Sequence, residues 1–322
     1  MKIFKRAALA ALLMGFAVLS CAQSFPDRPV RVIIPYAPGG GTDNLIRILQ
    51  PTVSASMGQQ LVIENRPGGS SIIGTELASK APPGGYTVLA SDSALLVNPG
   101  LFRAKMPIDT AKAFVGVSML AYAPVLLVIH PSVPANTLPE LLALARAKPG
   151  SLNYASGGLG ASTHIAAELL KLEANVNIAH IPYKGTGPAM TDLLGGQVHM
   201  QFAGISSART YVEGGKLRAI AVTGKRRNPA MPTVPTFEEF GLKTVDADSY
   251  WGLYAPAATP PAVLAMLNRH FVNAMRSPVH AEKLAALGYL PIANTSQEHT
   301  QQMRMMIAHW IDVLDRLKIT PE

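Results

Sequence analysis

The residues best placed to do chemistry in this chain are glycines and hydroxyls, not acids, bases or thiols. Ile33-Ile-Pro-Tyr-Ala-Pro-Gly-Gly-Gly-Thr-Asp-Asn-Leu-Ile-Arg47 carries a β-type apolar run into three glycines and then into helical periodicity. Glycine has no Cβ, so backbone N–H groups there can approach a ligand closely. Thr42 or Asp43 is expected to cap the helix that follows, whose first turn presents unpaired N–H groups and the positive end of its dipole. Anions bind well at such places. Asn153-Tyr-Ala-Ser-Gly-Gly-Leu-Gly-Ala-Ser-Thr-His164 repeats this pattern. Ser156, Ser162 and Thr163 add hydroxyls, and His164 falls near the first turn, where the bland alternative is a packed or capping ring. Asp43 has the same alternative, a cap instead of a contact. One dipole contributes roughly 0.3–1 kcal/mol, up to about 2 when partly buried. Micromolar affinity needs about 8 kcal/mol. Several N–H and hydroxyl bonds in a dehydrated cleft must therefore supply the rest.

Catalytic readings fare worse. Pro38–Asp43 is neither the dinucleotide-binding fingerprint nor the P-loop pattern. Gly204-Ile-Ser-Ser-Ala208 lacks the last glycine of a nucleophile elbow. The eight histidines show no metal-ligand spacing, and the single cysteine is Cys21. No catalytic residue, metal site or cofactor is expected; a hydrolase with a non-contiguous site is the remote alternative.

These turns need a scaffold that holds them at one edge. Short β-rich runs at Val30–Pro35, Gln60–Glu64, Tyr86–Ser91, Val125–His130, Asn153–Ser156, Ala179–Tyr183, His199–Ala203 and Ala219–Thr223 alternate with helical patterns. That alternation predicts an α/β fold with mainly parallel sheets. Ligands of open α/β sheets bind beyond the carboxyl ends of the strands. Two segments look alike: Val125–Pro134 before a helix through Leu138–Arg146, and Trp251–Pro260 before a helix through Ala262–Phe271. Each is a strand, spaced prolines and a helix start, and the pair is read as the two crossings between lobes. A recurring βα connection is the alternative. The expected division is lobe 1 over 23–124 plus 250–322 and lobe 2 over 125–249, with a cleft between them.

The first 22 residues set the compartment. Lys2, Lys5 and Arg6 precede the apolar run Ala7–Leu19, and Ser20-Cys21-Ala22 offers small residues for cleavage. Residues 1–22 are read as a signal peptide cut after Ala22; a lipidated Cys21 is the rival, for which Leu19 is a poor fit. The formal charge of the 322 residues is +8. Only Lys225-Arg226-Arg227 is a tight basic cluster, and no aromatics interleave with it, which argues against nucleic acid.

The chain resembles the Bug-type periplasmic receptors of tripartite tricarboxylate transporters. The resemblance rests on Phe25-Pro-Asp-Arg-Pro-Val30, Pro35-Tyr-Ala-Pro-Gly-Gly-Gly-Thr-Asp43, Glu64-Asn-Arg-Pro-Gly-Gly69, Pro83-Gly-Gly-Tyr-Thr87, Tyr154-Ala-Ser-Gly-Gly158 and Ile181-Pro-Tyr-Lys-Gly-Thr-Gly-Pro188. Asp192–Val198 and Gly252–Pro256 extend it along nearly the whole chain. It implies a type II periplasmic-binding-protein fold, two α/β lobes closing on a small carboxylated ligand: a di- or tricarboxylate, an acidic amino acid or an aromatic acid. The implied partners are membrane transporter subunits, or a membrane sensor if the receptor serves signalling, and a monomer is expected. The candidate contacts from the first turn are Tyr36, Ala37, Gly39, Gly40, Thr42 and Asp43, with Ser91 and Ser93 from the same sheet edge. The second turn contributes Ser156, Gly157, Gly158, Gly160, Ala161, Ser162 and His164, and Gly204 lines the cleft wall. Two departures bear on specificity. Ala161 stands where the family often has Ser or Thr, and His199 where it commonly has an acidic residue.

Overall fold

The computed structural model describes residues 25–245 and 247–321. The signal-peptide reading of residues 1–22 and the alternative at Cys21 lie outside the described residues. The first strand, β1 (Val30–Ile34), is flanked on both sides by parallel neighbours, β2 (Leu61–Asn65) and β3 (Thr87–Ser91). A central strand of this kind is largely apolar: Val30, Val32, Ile33 and Ile34 are fully buried, while Arg31 is part-exposed and pairs with Glu64. Between these strands run helices α1 (Gly41–Met57), ended by the left-handed Gly58, and α2 (Ile72–Ser79). Helix α3 (Ala94–Phe102) follows β3. The long strand β4 (Phe114–Ala123) then leads, through Pro124, directly into β5 (Val125–Ile129) of the other sheet.

The second sheet repeats the plan. After α4 (Leu138–Ala147) come β6 (Asn153–Ser156), α5 (Ser162–Ala174), β7 (Ala179–Pro182) and α6 (Thr186–Leu194). Then follow β8 (Met200–Gly204), α7 (Ile205–Glu213) and β9 (Arg218–Val222). The chain re-enters the first sheet at β10 (Ser249–Pro256) and ends with α8 (Pro261–Arg276), α9 (Pro278–Ala286), β11 (Leu290–Pro291) and α10 (Ser296–Leu317). A capping box at Thr295 and Glu298 starts α10.

The orders are β11-β4-β10-β3-β1-β2 and β7-β6-β8-β5-β9. This is a bilobed α/β fold of the type II periplasmic-binding-protein class. The expectation of mainly parallel sheets needs correction. Strand β10 is antiparallel to both β3 and β4, and β5 is antiparallel to both β8 and β9. The cause is the crossing of the chain: a strand that has just arrived from the other lobe enters its sheet from the cleft side and so runs against the strands that end there. The first sheet draws its strands from Val30–Ala123 and Ser249–Pro291, the second from Val125–Val222. Cleft-side turns follow β1 and β3 in one lobe and β6, β7 and β8 in the other.

Candidate functional site

Where the lobes meet, a small cavity is lined by Tyr36, Gly40, Gly41, Thr42, Asp43 and Asp92 from one side and Gly157, Gly185 and Thr186 from the other. Its first wall is the start of α1. The sequence suggests Thr42 or Asp43 as the cap, but the helix begins two to three residues earlier: Gly40 is the N-cap and supplies no side-chain bond. Asp43 therefore sits on the third helical residue and reaches back. Its carboxylate accepts from the Gly39 N–H at 3.1 Å, Arg47 Nε at 2.8 Å and Asn65 Nδ2 at 3.1 Å. Burial pushes the Asp43 carboxyl up, yet these donors together hold it below the usual range. Its charge is thus spent on tying the glycine turn to the helix. The N–H groups of Gly41, Thr42 and Asp43 find no acceptor among the described residues. They form a helix start open to an anion.

The opposite wall differs from the sequence expectation. The turn between β6 and α5 folds its side chains onto its own backbone; the N–H groups of Ser162 and Thr163 find no acceptor among the described residues, but neither residue lines the cavity. Ser156 Oγ accepts from the Gly158 N–H at 3.1 Å and shares a 2.7 Å bond with His180 Nε2. Thr163 Oγ1 accepts from the Gly157 N–H at 3.1 Å, and His164 Nδ1 accepts from the Gly160 N–H at 3.3 Å. The imidazole of His164 is fully buried against His180, with ring centres 4.7 Å apart. Burial, aided by the Lys171 charge, pushes His164 down to about 4, so the ring is neutral and serves as an acceptor inside the turn. Ser162 Oγ pairs with Ser249 Oγ of the returning strand. Of this group only Gly157 reaches the cavity; Ser156, Gly158, Gly160, Ala161, Ser162 and His164 stand behind it.

The facing helix start is instead that of α6. Gly185 is its N-cap, with φ +128°, and the N–H of its first residue, Thr186, has no acceptor among the described residues. A Cβ added to Gly40 would lie 2.7 Å from Thr186 Oγ1 and 3.9 Å from Thr186 N. The two helix starts, one from each lobe, therefore converge on one small space. The lobes are latched beside it by the Ala37 N–H donating to the Lys184 carbonyl at 2.9 Å. A Cβ on Gly187 would fall 2.2 Å from the Pro38 carbonyl oxygen, which is as close as two backbones can run.

Among the residues the sequence nominates, Tyr36, Gly40, Thr42, Asp43 and Gly157 line the cavity. Ala37 and Gly39 lie at its rim, where Gly39 borders a neighbouring surface groove. Ser91 lies behind Tyr36, with Oγ 3.5 Å from the phenol oxygen. Ser93 is consumed at the lobe crossing: its hydroxyl donates to the Asp248 carbonyl and accepts from the Tyr250 N–H. Gly204 caps α7 away from the cavity. His199 pairs with Asn153 on the far edge of β6, outside the cavity lining. The residues that sequence reasoning passes over are Gly41, Asp92, Gly185 and Thr186. The signal for Thr186 was present, because Gly185-Thr-Gly-Pro188 is a glycine turn opening a helix like the other two.

Asp92 and Tyr36 complete the wall. The Tyr36 hydroxyl donates to Asp92 Oδ1 at 2.5 Å, and the Ala94 N–H donates to the same oxygen at 2.9 Å. Burial, and then the Asp92 charge, hold the Tyr36 phenol well above its ordinary value. Burial also raises the Asp92 carboxyl, opposed by the bonds from Tyr36 and Ala94.

This arrangement offers backbone donors and dipoles for one anionic group, in a space closed by the contact of two lobes. A sequence profile of the family described as tripartite tricarboxylate transporter family receptor matches residues 45–319. Protein BugT of Bordetella pertussis is 35% identical over 301 residues, covering 93% of this chain and 92% of that protein. Among solved structures, R. palustris Rpa4515 with adipate aligns at TM-score 0.88 and 31% identity, over 93% of this chain and 100% of that one. MatC from Rhodopseudomonas palustris with bound malate aligns at TM-score 0.85 and 29% identity, over 90% of this chain and 100% of that one.

Proposed function

The chain belongs to the receptor family of the tripartite tricarboxylate transporters, and on that premise we propose that its interlobe cavity grips one carboxylate of a small acid between the starts of α1 and α6. It is a periplasmic solute receptor and not an enzyme. The proposal extends to how it holds its cargo. The carboxylate oxygens accept from the free N–H groups of Gly41, Thr42 and Asp43 on one lobe and of Thr186 on the other. Charge-assisted hydrogen bonds contribute about 1.5–3 kcal/mol each. Three or four of them reach the roughly 8 kcal/mol of a micromolar complex without any cationic side chain in the site. The observation that carries the reading is the close approach of Gly40 to Thr186, which leaves each helix start with the other lobe as its lid.

Such a grip couples binding to closure. Neither lobe alone supplies all four donors, so the ligand binds the closed arrangement better than the open one and shifts the population toward it. The hinge in this reading is the pair of crossings, Pro124 between β4 and β5 and the segment before β10. The closed form is then what membrane subunits of the transporter recognise. Export by residues 1–22, with the mature chain starting at Gln23, completes the proposal, and mass spectrometry of the exported protein reads that terminus.

A calorimetric and thermal-shift panel of carboxylic acids beside their amides tests the grip. A ligand at 100 times its dissociation constant adds about 2.7 kcal/mol of stability. The acids are expected to raise the melting temperature and their amides to fail. Equal response to acid and amide would refute carboxylate capture. Small-angle scattering with and without the best acid reads closure as a smaller radius of gyration.

A further inference from the structure

We propose that Asp92 makes this receptor selective for carboxylates that also carry a protonated nitrogen, an amino acid being the simplest case, over acids whose second charge is negative. The inference rests on the carboxylate grip described above and names what lies opposite it.

Two acids line the cavity, and their circumstances differ. Asp43 has a counter-ion, Arg47, and an amide donor, Asn65. Asp92 forms no ion pair with any Lys, Arg or His among the described residues. One of its oxygens, Oδ1, is fixed by the Tyr36 hydroxyl at 2.5 Å and the Ala94 N–H at 2.9 Å. The other, Oδ2, accepts no hydrogen bond from another residue among the described residues, and the side chain borders the cavity that holds the two helix starts.

That geometry is costly unless something else uses the charge. Asp92 is half-buried, and a carboxylate partly withdrawn from water without a cationic partner is disfavoured. Holding the Tyr36 hydroxyl and the Ala94 N–H needs only an oxygen acceptor, which a neutral asparagine supplies equally well. The negative charge is therefore surplus to the local structure. The two bonds also lock the carboxyl plane, which keeps Oδ2 in one direction. The cavity measures only about 20 Å³ here, so a ligand enters by parting the lobes; its ammonium then donates to Oδ2 while its carboxylate lies on the N–H groups of α1 and α6. A second ligand carboxylate placed there would face a fixed like charge in a space with little water, where repulsion is strong. Burial raises the Asp92 carboxyl in the free protein. An adjacent ammonium opposes that rise and keeps the group ionised.

The test uses matched pairs differing only in the amino group: L-aspartate with succinate, L-glutamate with glutarate, and 4-aminobutyrate with butyrate. Calorimetry compares each pair on the wild type, on Asp92→Asn and on Asp92→Ser, after thermal melting has confirmed that the variants fold. The amino member of at least one pair is expected to bind the wild type at least 10-fold more tightly than its partner. Asp92→Asn should reduce that ratio at least 10-fold, and Asp92→Ser should do the same. Equal affinity within every pair on the wild type overturns the inference and leaves the carboxylate grip standing. So does a preference for the amino member that survives both substitutions. Should none of the six acids bind the wild type, this inference falls, while the carboxylate reading is decided by the wider panel of acids and amides.

Discussion

Replacing Gly40 with alanine isolates lobe closure from folding. Gly40 has φ −83° and ψ 174°, extended backbone that any residue adopts. The substitution therefore carries no backbone strain, and the reduced freedom of the unfolded chain favours the variant by about 0.4–1 kcal/mol. The cost appears only when the lobes meet. The new Cβ would lie 2.7 Å from Thr186 Oγ1, with the next atom, Thr186 N, 3.9 Å away. Thr186 is β-branched and stiff at χ1, so moving Oγ1 aside means leaving its preferred rotamer. Overpacking of this kind costs about 1–3 kcal/mol. Charged to the closed form alone, it weakens binding by about 5- to 150-fold while the melting temperature of the free protein holds or rises. The natural control is Thr186→Ala, which removes the clashing oxygen. In that background the same Gly40→Ala change meets nothing nearer than the 3.9 Å contact and should cost little further affinity. Calorimetry on the four proteins of this cycle measures the coupling directly. An unchanged affinity in Gly40→Ala, or an equal loss in both backgrounds, would show that Gly40 and Thr186 do not meet around the ligand.

Other substitutions separate the ties from the contacts. Asp43→Ala removes the acceptor shared by Gly39 N–H, Arg47 and Asn65 and should lower stability by about 1–3 kcal/mol, read by chemical denaturation; an unaltered midpoint would contradict the tie. Ser156→Ala strips the buried Gly158 N–H of its acceptor and His180 of its partner, so stability should fall by about 1–3 kcal/mol with little loss of affinity. A collapse of binding at unchanged stability would instead place Ser156 against the ligand. Acid should loosen the second lobe through His164. Its folded value is about 4, below the unfolded 6.5, so the unfolded chain takes up more protons between those limits and stability falls as pH drops through them. One such group loses roughly 2 kcal/mol by pH 5, and His180, pushed down to about 3 chiefly by burial, acts in the same direction. Equal stability at pH 7 and pH 5 would contradict a neutral buried pair.

Much of the scaffold is legible in the sequence because parallel strands buried on both faces must be short apolar runs. Asn153–Ser156 matches its strand at both ends, and the other runs shift by a residue or so. The sheet polarity was not legible. Strand β4 is interrupted by Gly116 and Ser118, no helix follows it, and nothing in its residues announces that it delivers the chain to another lobe. At the site, the first glycine turn was readable and its cap was not. Asp43 has the composition of a cap, but Arg47, one turn on, and Asn65, across the sheet, draw its carboxylate to the third helical position. The second turn uses its side chains in a way its composition does not announce. Its hydroxyls and imidazole looked like ligand donors, yet they are the groups that satisfy the N–H groups of Gly157, Gly158 and Gly160. The barer turn at Gly185 and Thr186 is the one that borders the cavity. Asp92 was hidden between two serines, since a lone acid shows its role only when its neighbours in space are known.

In the proposed complex one ligand carboxylate sits on the first-turn N–H groups of two helices from opposite lobes. Amide proton spectra of the labelled protein, recorded with and without the best-binding acid from the panel, read those groups one by one. Downfield proton shifts and slowed exchange are expected at Gly41, Thr42, Asp43 and Thr186 together, with little change at Gly158 and Gly160, whose N–H groups are already bonded. Shifts confined to one lobe, or centred on Ser162–His164 with Thr186 unmoved, would contradict it.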